Sequence, residues 1–281
     1  MSEAVLNEQQ MEKLLAFVSK ETGMEFASRL TDWVNKQFFD VYIAHGGSDS
    51  QSFLDGIVTN VRQKERDALF DSLTVNETMF FRDKKYFDFL EKVLVPTLME
   101  KNKDSKKLSI WIAAGSSGQE IYSILFLLLT KFPELKNWTL DLMSSDICSE
   151  VITKAQRGIY SKHEVSRGME DDLLATFFDR IDDARYQVKA TYRSMVKFKR
   201  SNLKEDFQYQ FMNADFISCR NVLIYFSDET KKDIVNRLAD KVVAGGYLLL
   251  GQVDYIGLQK YPEGMEYKLE GIFPYLKRES R

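Results

Sequence analysis

The sequence predicts an α/β protein in which helices cover both faces of a parallel sheet and a helical region precedes the sheet. Two observations carry this prediction. From about residue 107 onward, short apolar runs alternate with helical segments, as they do in strand–helix units. Before residue 75, apolar residues recur only at helical spacing. The 281 residues correspond to about two domains, and their 44% hydrophobic content suffices for a globular core.

Residues 1–75 are predicted to form a helical N-terminal domain. Three groups of apolar residues have helical spacing. The first consists of Met11, Leu14, Leu15 and Val18, and the second of Phe26, Leu30, Trp33, Val34, Phe38 and Val41. The third consists of Phe53, Leu54, Ile57, Val58 and Val61. The sequence His-Gly-Gly-Ser at 45–48 separates the second group from the third. The domain carries 7 basic and 12 acidic residues, which gives it a net charge of −5.

Residues 76–100 are predicted to connect the two domains through a short motif followed by a helix at 84–100, and residues 101–281 are predicted to form the second domain. Its predicted strands are 108–114, 140–144, 216–219 and 247–251, and its predicted helices are 119–130, 149–156 and 229–243. The segment 185–200 alternates partly with period two, which favours an antiparallel hairpin inside the main sheet or beside it.

Composition excludes several classes of function. A net charge of −3 argues against a nucleic-acid-binding role. Two cysteines, the lack of a signal-peptide pattern and apolar runs only about half as long as a bilayer span predict a cytoplasmic protein that does not insert into membranes. His45 and His163 lie far apart and have no partners at metal-binding spacing, so no metal site is expected. We expect a monomer.

The turn after the first predicted strand is rich in small residues. Ala113 to Gly118 has the pattern A-x-G-x-x-G and leads directly into a helix. Such a turn can bring a ligand close to the backbone at a helix N-terminus, although it also occurs as a plain strand–helix connection. Asp146 ends the next strand, where a carboxylate can accept hydrogen bonds from both ribose hydroxyls of a nucleoside, or can act as a helix N-cap. Together the two features predict a nucleoside site.

Two further motifs combine polar and large apolar side chains. In the first, at 76–83, the apolar residues suggest interdomain packing, and Arg82 is either a carboxylate-binding fork or a surface charge. The second, at 219–226, follows a predicted strand and places Arg220, Asn221 and Tyr225 near the sheet edge where ligands of open α/β sheets bind. Tyr225 could instead be an aromatic residue at the edge of the core.

These segments together resemble the bacterial chemotaxis receptor methyltransferases, over about residues 70–255. The matching motifs are Asn-Glu-Thr-x-Phe-Phe-Arg-Asp at 76–83, Ala-Gly-Ser-Ser-Gly-Gln-Glu-Ile-Tyr-Ser at 114–123, Ser-Asp-Ile at 145–147 with Gly-Ile-Tyr at 158–160, and Cys-Arg-Asn-Val-Leu-Ile-Tyr-Phe at 219–226. The family transfers a methyl group from S-adenosylmethionine to glutamates on the cytoplasmic helices of receptors, which leaves S-adenosylhomocysteine. The resemblance implies an N-terminal helical domain, a doubly wound Rossmann-like methyltransferase domain and a small antiparallel β-subdomain at about 180–200.

The resemblance also implies roles for individual residues. Those that match the family's cofactor ligands are Asn76, Thr78, Arg82, Gly115, Glu120, Asp146, Asn202, Leu203, Arg220 and Asn221. Those that match the pair beside the transferred methyl group, and so are predicted to be catalytic, are Arg82 and Tyr225. A glutamate carboxylate is already ionised at pH 7, so the transfer needs no general base. This accounts for a chain without a plausible catalytic histidine or cysteine.

The sequence departs from the family pattern at three places. Gln119 stands where the first of two acids is usual, Ile121 replaces a proline, and Gly-Gln-Val-Asp at 251–254 replaces Gly-His-Ser-Glu. These departures keep open a family member that binds the cofactor without turnover. A nicotinamide-dependent dehydrogenase on a similar sheet is the third alternative.

A basic strip, defined here as Arg185, Lys189, Arg193, Lys197, Lys199, Arg200 and Lys204, contains no acid over twenty residues. It is either a solvated surface or a docking surface for the acidic helices of a receptor. As a docking surface, the strip would bind the acidic receptor helices, a role for which the acidic N-terminal domain is poorly suited.

Overall fold

The protein, here a computed structural model, is described at residues 6–26, 30–74, 76–205, 213–255, 258 and 260–279. Its α-helices are α1 (Glu8–Thr22), α2 (Thr31–Ala44), α3 (Ser50–Val58), α4 (Gln63–Leu73), α5 (Lys84–Phe89), α6 (Val95–Lys101), α7 (Gln119–Lys131), α8 (Ser149–Arg157), α9 (Lys162–Ser166), α10 (Asp171–Phe177), α11 (Ala190–Arg193) and α12 (Asp228–Asp240). Its strands are β1 (Lys107–Ala113), β2 (Thr139–Asp146), β3 (Ile159–Ser161), β4 (Phe178–Arg180), β5 (Arg185–Val188), β6 (Val196–Arg200), β7 (Ala214–Cys219), β8 (Val242–Leu250), β9 (Met265–Glu270) and β10 (Phe273–Arg278).

The seven-stranded main sheet has the order β6-β2-β1-β7-β8-β10-β9. Its first five strands are parallel, and β10 and β9 are added antiparallel to the strand beside them. From β1 the chain builds outward in one direction through β2 and β6, and then in the other direction through β7 and β8. The sheet therefore has a topological switch point between β1 and β7, and the carboxyl ends of these strands form the expected ligand crevice. The predicted α/β, doubly wound architecture is confirmed.

Strand β1 shows why the sheet is covered on both faces. Leu108, Ile110 and Ile112 pack with α7 and with the helices at 84–101. Trp111 and Ala113 face the other side, where they pack with α12. A central parallel strand must be apolar on both faces, which explains its nearly continuous apolar run.

Helices α1–α4 pack around a separate apolar core. Asn7 and Gln10 form a capping box that starts α1, and Gly23 in a left-handed conformation ends it. The predicted outer bounds of the two domains, residues 1, 75 and 281, lie outside the described residues. The connecting helix predicted at 84–100 is present as α5 and α6, which a π-helical turn at Leu90–Leu94 joins.

The predicted hairpin at 185–200 is wrong. Strand β5 pairs antiparallel with β3 and β4 in a small three-stranded sheet, whereas β6 runs parallel to β2 at the edge of the main sheet. Helix α11 lies between them. The small antiparallel sheet therefore spans 159–188 rather than 180–200. Period-two alternation marks each strand but does not say which sheet the strand joins.

No helix within the described ranges is long and apolar enough to cross a membrane.

Candidate functional site

A cavity of about 360 Å³ lies at the carboxyl ends of β1, β2 and β7, between the main sheet and the N-terminal helices. Every predicted site residue lines it: Asn76, Thr78, Arg82, Gly115, Glu120, Asp146, Asn202, Leu203, Arg220, Asn221 and Tyr225. The structure thus brings together side chains that are up to 149 residues apart in the chain. Their individual roles stay predictions.

The small-residue turn after β1 forms the floor of this cavity. The amide of Gly115 donates to the carbonyl of Ser145 at 2.9 Å. A Cβ atom at Gly115 would collide with Ser144 Oγ on the neighbouring strand. A larger residue would therefore displace the Ser144 side chain, which gives glycine a packing role here in addition to the close ligand approach that the pattern suggested. Ala114 and Ser116 both have left-handed backbone conformations, with φ of 61° and 49°.

Asp146 ties the turn to the end of β2. Its Oδ2 accepts from the amide of Ser116 at 2.8 Å, and its Oδ1 accepts from the amide of Cys148 at 3.1 Å. Burial raises the pKa of Asp146, although these backbone donors oppose the shift. The N-cap of α8 is Cys148, so the N-cap alternative for Asp146 is wrong. Each carboxylate oxygen retains a lone pair for a further donor in the cavity.

Glu120, in the first turn of α7, belongs to a buried polar network. Its Oε1 accepts from Ser218 Oγ at 2.6 Å and from Tyr86 Oη at 3.1 Å. The guanidinium of Arg220 lies 3.9 Å from the centre of the Tyr86 ring and forms an ion pair with Asp83 at 2.7 Å. Tyr86 therefore contacts both an acidic and a basic side chain of the cavity, Glu120 through its hydroxyl and Arg220 through its ring.

Sequence reasoning missed Tyr86. Its position in α5 is one of several apolar positions on the buried face of that helix, and nothing in the local pattern distinguishes it from Phe87.

The 76–83 motif is fastened to the cavity floor. The carbonyl of Asn76 accepts from Ser116 Oγ at 3.0 Å, and Arg82 Nη1 donates to the carbonyl of Glu77 at 2.9 Å. Phe80 is fully buried against Tyr160 and Phe178 of the small sheet. Its packing is therefore within the sheet domain, and the interpretation of this side chain as interdomain packing is wrong.

Tyr225 is half-buried on the opposite wall. Burial raises the pKa of its hydroxyl, and the nearby positive charge of Arg82 opposes that shift. The net direction is upward, so the hydroxyl keeps its proton at neutral pH and can donate a hydrogen bond. The carbonyl of Tyr225 accepts from the amide of Glu25 at 2.8 Å, and Phe226 forms a β-bridge with Met24.

The N-terminal helices supply part of the cavity wall. Asn202 Nδ2 donates to the carbonyl of Glu21 at 2.8 Å, which joins the loop after β6 to the end of α1. The apolar side chains that close this end, and that sequence reasoning did not assign to the site, are Met24, Phe26, Leu30, Trp33 and Leu73. Helical spacing identified Phe26, Leu30 and Trp33 only as core residues, and Met24 and Leu73 were not singled out.

None of the three departures from the family pattern lines the cavity, and two of them are buried beside it. Gln119 is buried and its Oε1 accepts from Ser117 Oγ at 2.9 Å. Ile121 is fully buried in the core beneath α7. Neither side chain lines the cavity.

The basic strip does not form one free surface. Six of its members are bonded to groups of the chain itself: Arg185 to Asp182, Lys197 to Asp141, Arg200 to Asp67, and Lys189, Arg193 and Lys204 to backbone carbonyls. They are distributed over β5, α11, β6 and the following loop. Exposed ion pairs of this kind contribute little to stability, about 0–1 kcal/mol each.

The described part of the chain contains no cluster of side chains with the composition of a metal site. No group of three or more His, Cys, Asp or Glu side chains that could hold a metal ion is found there.

Comparison with known proteins decides the family. Residues 76–267 match the family model described as CheR methyltransferase, SAM binding domain. The chain belongs to the CheR methyltransferase family. The matched range contains every predicted site residue. It begins at Asn76, the first residue of the first motif.

Individual members of the CheR methyltransferase family are similar over most of the chain. Chemotaxis protein methyltransferase 1 of Vibrio cholerae is 32% identical over 254 residues, which cover 89% of this chain and 90% of that protein. A chemotaxis protein methyltransferase of Vibrio parahaemolyticus is 30% identical over 255 residues, covering 89% and 90%. Chemotaxis protein methyltransferase 1 of Pseudomonas aeruginosa is 36% identical over 190 residues, covering 66% and 68%.

The cavity fits S-adenosylmethionine, the cofactor of the family. Its volume lies within the range of small-molecule sites, about 300–1,000 Å³. The hydroxyl of Ser201, which lines the cavity, is buried and has no hydrogen-bond partner among the described residues. A bound polar molecule would satisfy it, since buried polar groups are normally hydrogen-bonded. The apolar side chains of Ile147, Leu203 and Val222 provide walls for a flat base.

Proposed function

We propose that this protein transfers the methyl group of S-adenosylmethionine to glutamate side chains on the cytoplasmic helices of chemoreceptors. The products are glutamate methyl esters and S-adenosylhomocysteine. The observation that carries the proposal is the gathering of all four motifs around one cavity at the switch point of the sheet. The protein is proposed to act in the cytoplasm.

The charged side chains that line the cavity suit S-adenosylmethionine, which carries an ammonium group, a carboxylate and a sulfonium. Asp146 would accept from the ribose hydroxyls, since its oxygens keep free lone pairs beside two backbone donors. Glu120 offers a carboxylate to an ammonium group, and Arg220 offers a guanidinium to a carboxylate. Asn76, Thr78, Asn202, Leu203 and Asn221 complete the proposed set of cofactor ligands. When bound, the cofactor supplies an electrophilic methyl group on a sulfonium.

The nucleophile in this account is the substrate carboxylate itself. A glutamate has a pKa near 4.3, so it is ionised at pH 7 and needs no base. The protein's task is to remove water from that carboxylate and align it. Alignment of two reacting groups can lower the barrier by about 7–11 kcal/mol.

Arg82 and Tyr225 are proposed to hold the substrate carboxylate. Both line the cavity, and the guanidinium is close enough to lower the pKa that burial raises at Tyr225. Arg82 is already engaged with the carbonyl of Glu77 through Nη1, so it can orient one carboxylate oxygen without enclosing it. The protonated hydroxyl of Tyr225 can donate to the other oxygen.

The alternative of a family member that binds the cofactor without turnover loses most of its support. Its basis was three departures from the family pattern, and two of them lie in the core. The third preserves an acid, Asp254, which is fully buried. Arg82 and Tyr225 are both present at the cavity.

An assay with methyl-labelled S-adenosylmethionine and a receptor cytoplasmic fragment tests the proposal. Label incorporated into the fragment should be released as methanol by mild alkali, as expected for a carboxyl ester. Binding of cofactor with no transfer to any glutamate-bearing fragment would leave only the binding function.

A further inference from the structure

Asp254 is a fully buried acid that does not line the cavity. It lies in a short 3₁₀ helix at Gln252–Tyr255, directly after the end of β8. The neighbouring strand β7 ends at Cys219, and the loop that follows it carries Arg220, Asn221 and Tyr225. Asp254 therefore stands behind the loop that bears three of the proposed site residues.

The carboxylate of Asp254 accepts three backbone hydrogen bonds. Oδ2 accepts from the amide of Asn221 at 2.5 Å and from that of Gly251 at 2.9 Å. Oδ1 accepts from the amide of Leu223 at 3.0 Å. Two of the three donors belong to the loop after β7. Hydrogen bonds to an ionised acceptor are about twice as strong as neutral ones.

The backbone that these bonds hold is left-handed at one residue. Asn221 has a left-handed backbone conformation, with φ of 60°. Asparagine tolerates this region better than most residues with a side chain, and hydrogen bonds to the neighbouring amides stabilise it further. The Asp254 carboxylate accepts from the amide of Asn221 itself and from that of Leu223, so it holds the backbone on both sides of this turn.

Gly251 leaves the space that the carboxylate needs. A Cβ atom at this position would lie 2.5 Å from Asp254 Oδ2 and 2.9 Å from the amide nitrogen of Asn221. The φ of Gly251 is not left-handed, so its requirement is steric. Glycine and acid thus form one unit with the loop.

We propose that Asp254 is a positioning residue for methyl transfer: through the amides of Asn221 and Leu223 it sets the loop that carries Arg220, Asn221 and Tyr225. The inference rests on the proposed function where it concerns Tyr225 and methyl transfer. Its effect on cofactor affinity does not depend on that function. Asp254 touches no reacting atom in this account. The positioning role gives a function to the Gly-Gln-Val-Asp segment at 251–254, which the sequence pattern had left without one.

Asp215, on the strand that precedes the supported loop, provides a matched control. It lies at the opposite end of β7 and is also buried. Its Oδ2 accepts from the amide of Ser109 at 2.9 Å, and its Oδ1 accepts from Asn102 Nδ2 at 2.8 Å. Asp215 does not line the cavity. Asp254→Asn and Asp215→Asn each replace a buried acid by its amide, and only the first removes support from the loop.

The experiment compares the two variants of the full chain in three measurements. Calorimetry with S-adenosylhomocysteine should show an affinity about tenfold or more lower for Asp254→Asn, since an amide cannot accept at both oxygen positions. Single-turnover methyl transfer at saturating cofactor should also fall by about tenfold or more. Amide hydrogen exchange at Asn221 and Leu223 should become faster. Asp215→Asn should lose stability but match the wild type in all three.

Gly251→Ala is the second variant, because it displaces the same carboxylate while leaving the acid in place. It should reproduce the loss of affinity and the faster exchange even if Asp254→Asn fails to fold. The proposal would be overturned if Asp254→Asn or Gly251→Ala kept the wild-type cofactor affinity and amide exchange rates. It would also be overturned if Asp215→Asn lost as much cofactor affinity as Asp254→Asn. A wild type that binds S-adenosylhomocysteine but transfers no methyl group would refute the proposed function, while the affinity and exchange results would still decide the positioning role.

Discussion

The hydroxyl of Tyr86 lies 3.1 Å from Glu120 Oε1 and donates to it from a fully buried position. The same tyrosine ring lies under the guanidinium of Arg220, at 3.9 Å. A residue of the connecting helix therefore fixes two charged groups of the cavity, one from α7 and one from the end of β7. Burial and the negative charge of Glu120 raise the pKa of Tyr86 well above its ordinary value, so the hydroxyl keeps its proton and remains a donor at neutral pH.

Tyr86→Phe should weaken cofactor binding while leaving the fold intact. The change removes one hydrogen bond to a carboxylate, a loss of about 1.5–3 kcal/mol as an upper range, and preserves the ring under Arg220. Calorimetry with S-adenosylhomocysteine should show a several-fold loss of affinity. Tyr122→Phe is the control, since it removes a buried hydrogen bond to the carbonyl of Ala155 away from the cavity. Equal affinities in the two variants would contradict the role assigned to Tyr86.

Cofactor binding should weaken as the pH falls through the raised pKa of Asp146. The ionised carboxylate is the form with acceptors for both ribose hydroxyls, and burial moves its protonation above the ordinary value of about 3.9. The sign follows directly: affinity is present above this pKa and is lost below it. Affinities of S-adenosylhomocysteine measured from pH 7 downward should show the decline.

Asp146→Asn supplies the matched control for that pH series. At pH 7 the variant should bind about tenfold or more weakly, because the amide has one acceptor oxygen instead of two. Its affinity should then depend less on pH than that of the wild type. Parallel pH curves for the two proteins would show that another group controls binding.

Tyr225→Phe should slow methyl transfer more than it weakens cofactor binding. The hydroxyl is proposed to donate to the substrate carboxylate, so its loss should lower kcat by about tenfold or more and change cofactor affinity by no more than a few-fold. Tyr267→Phe, on the exposed strand β9, is the control and should behave like the wild type. A variant at 225 with unchanged kcat would remove Tyr225 from the transfer step.

Docking of the receptor should depend on salt if the basic strip takes part. Lys199 is exposed on β6, and Lys199→Glu should raise the KM for receptor at low ionic strength and leave cofactor affinity unchanged. The difference should shrink at high salt, because exposed charges interact over about 8 Å at physiological ionic strength. Lys103→Glu, at the amino end of the sheet beside Glu100, is the control. Identical KM values in both variants at every salt concentration would show that the strip is only a solvated surface.

Local patterns were sufficient for much of the fold and for the location of the site. The apolar run of β1 and the acid at the end of β2 had to meet at one sheet edge once the strands were parallel, so Asp146 could be placed without a structure. The division of 185–200 between two sheets could not be predicted, because β5 and β6 have the same alternation and differ only in their partners. The roles of Tyr86 and Asp254 depend on contacts across 34 and 33 residues and leave no local signal.

The pH dependence of methyl transfer tests the central claim most directly. Single-turnover transfer from labelled S-adenosylmethionine to a receptor cytoplasmic fragment should be measured from pH 6 to pH 9 at saturating cofactor. The account predicts a flat rate, because the substrate glutamate is already ionised above about pH 6 and the hydroxyl of Tyr225 keeps its proton. A rate that rises tenfold per pH unit with a midpoint near pH 7 would reveal an essential base and contradict the mechanism.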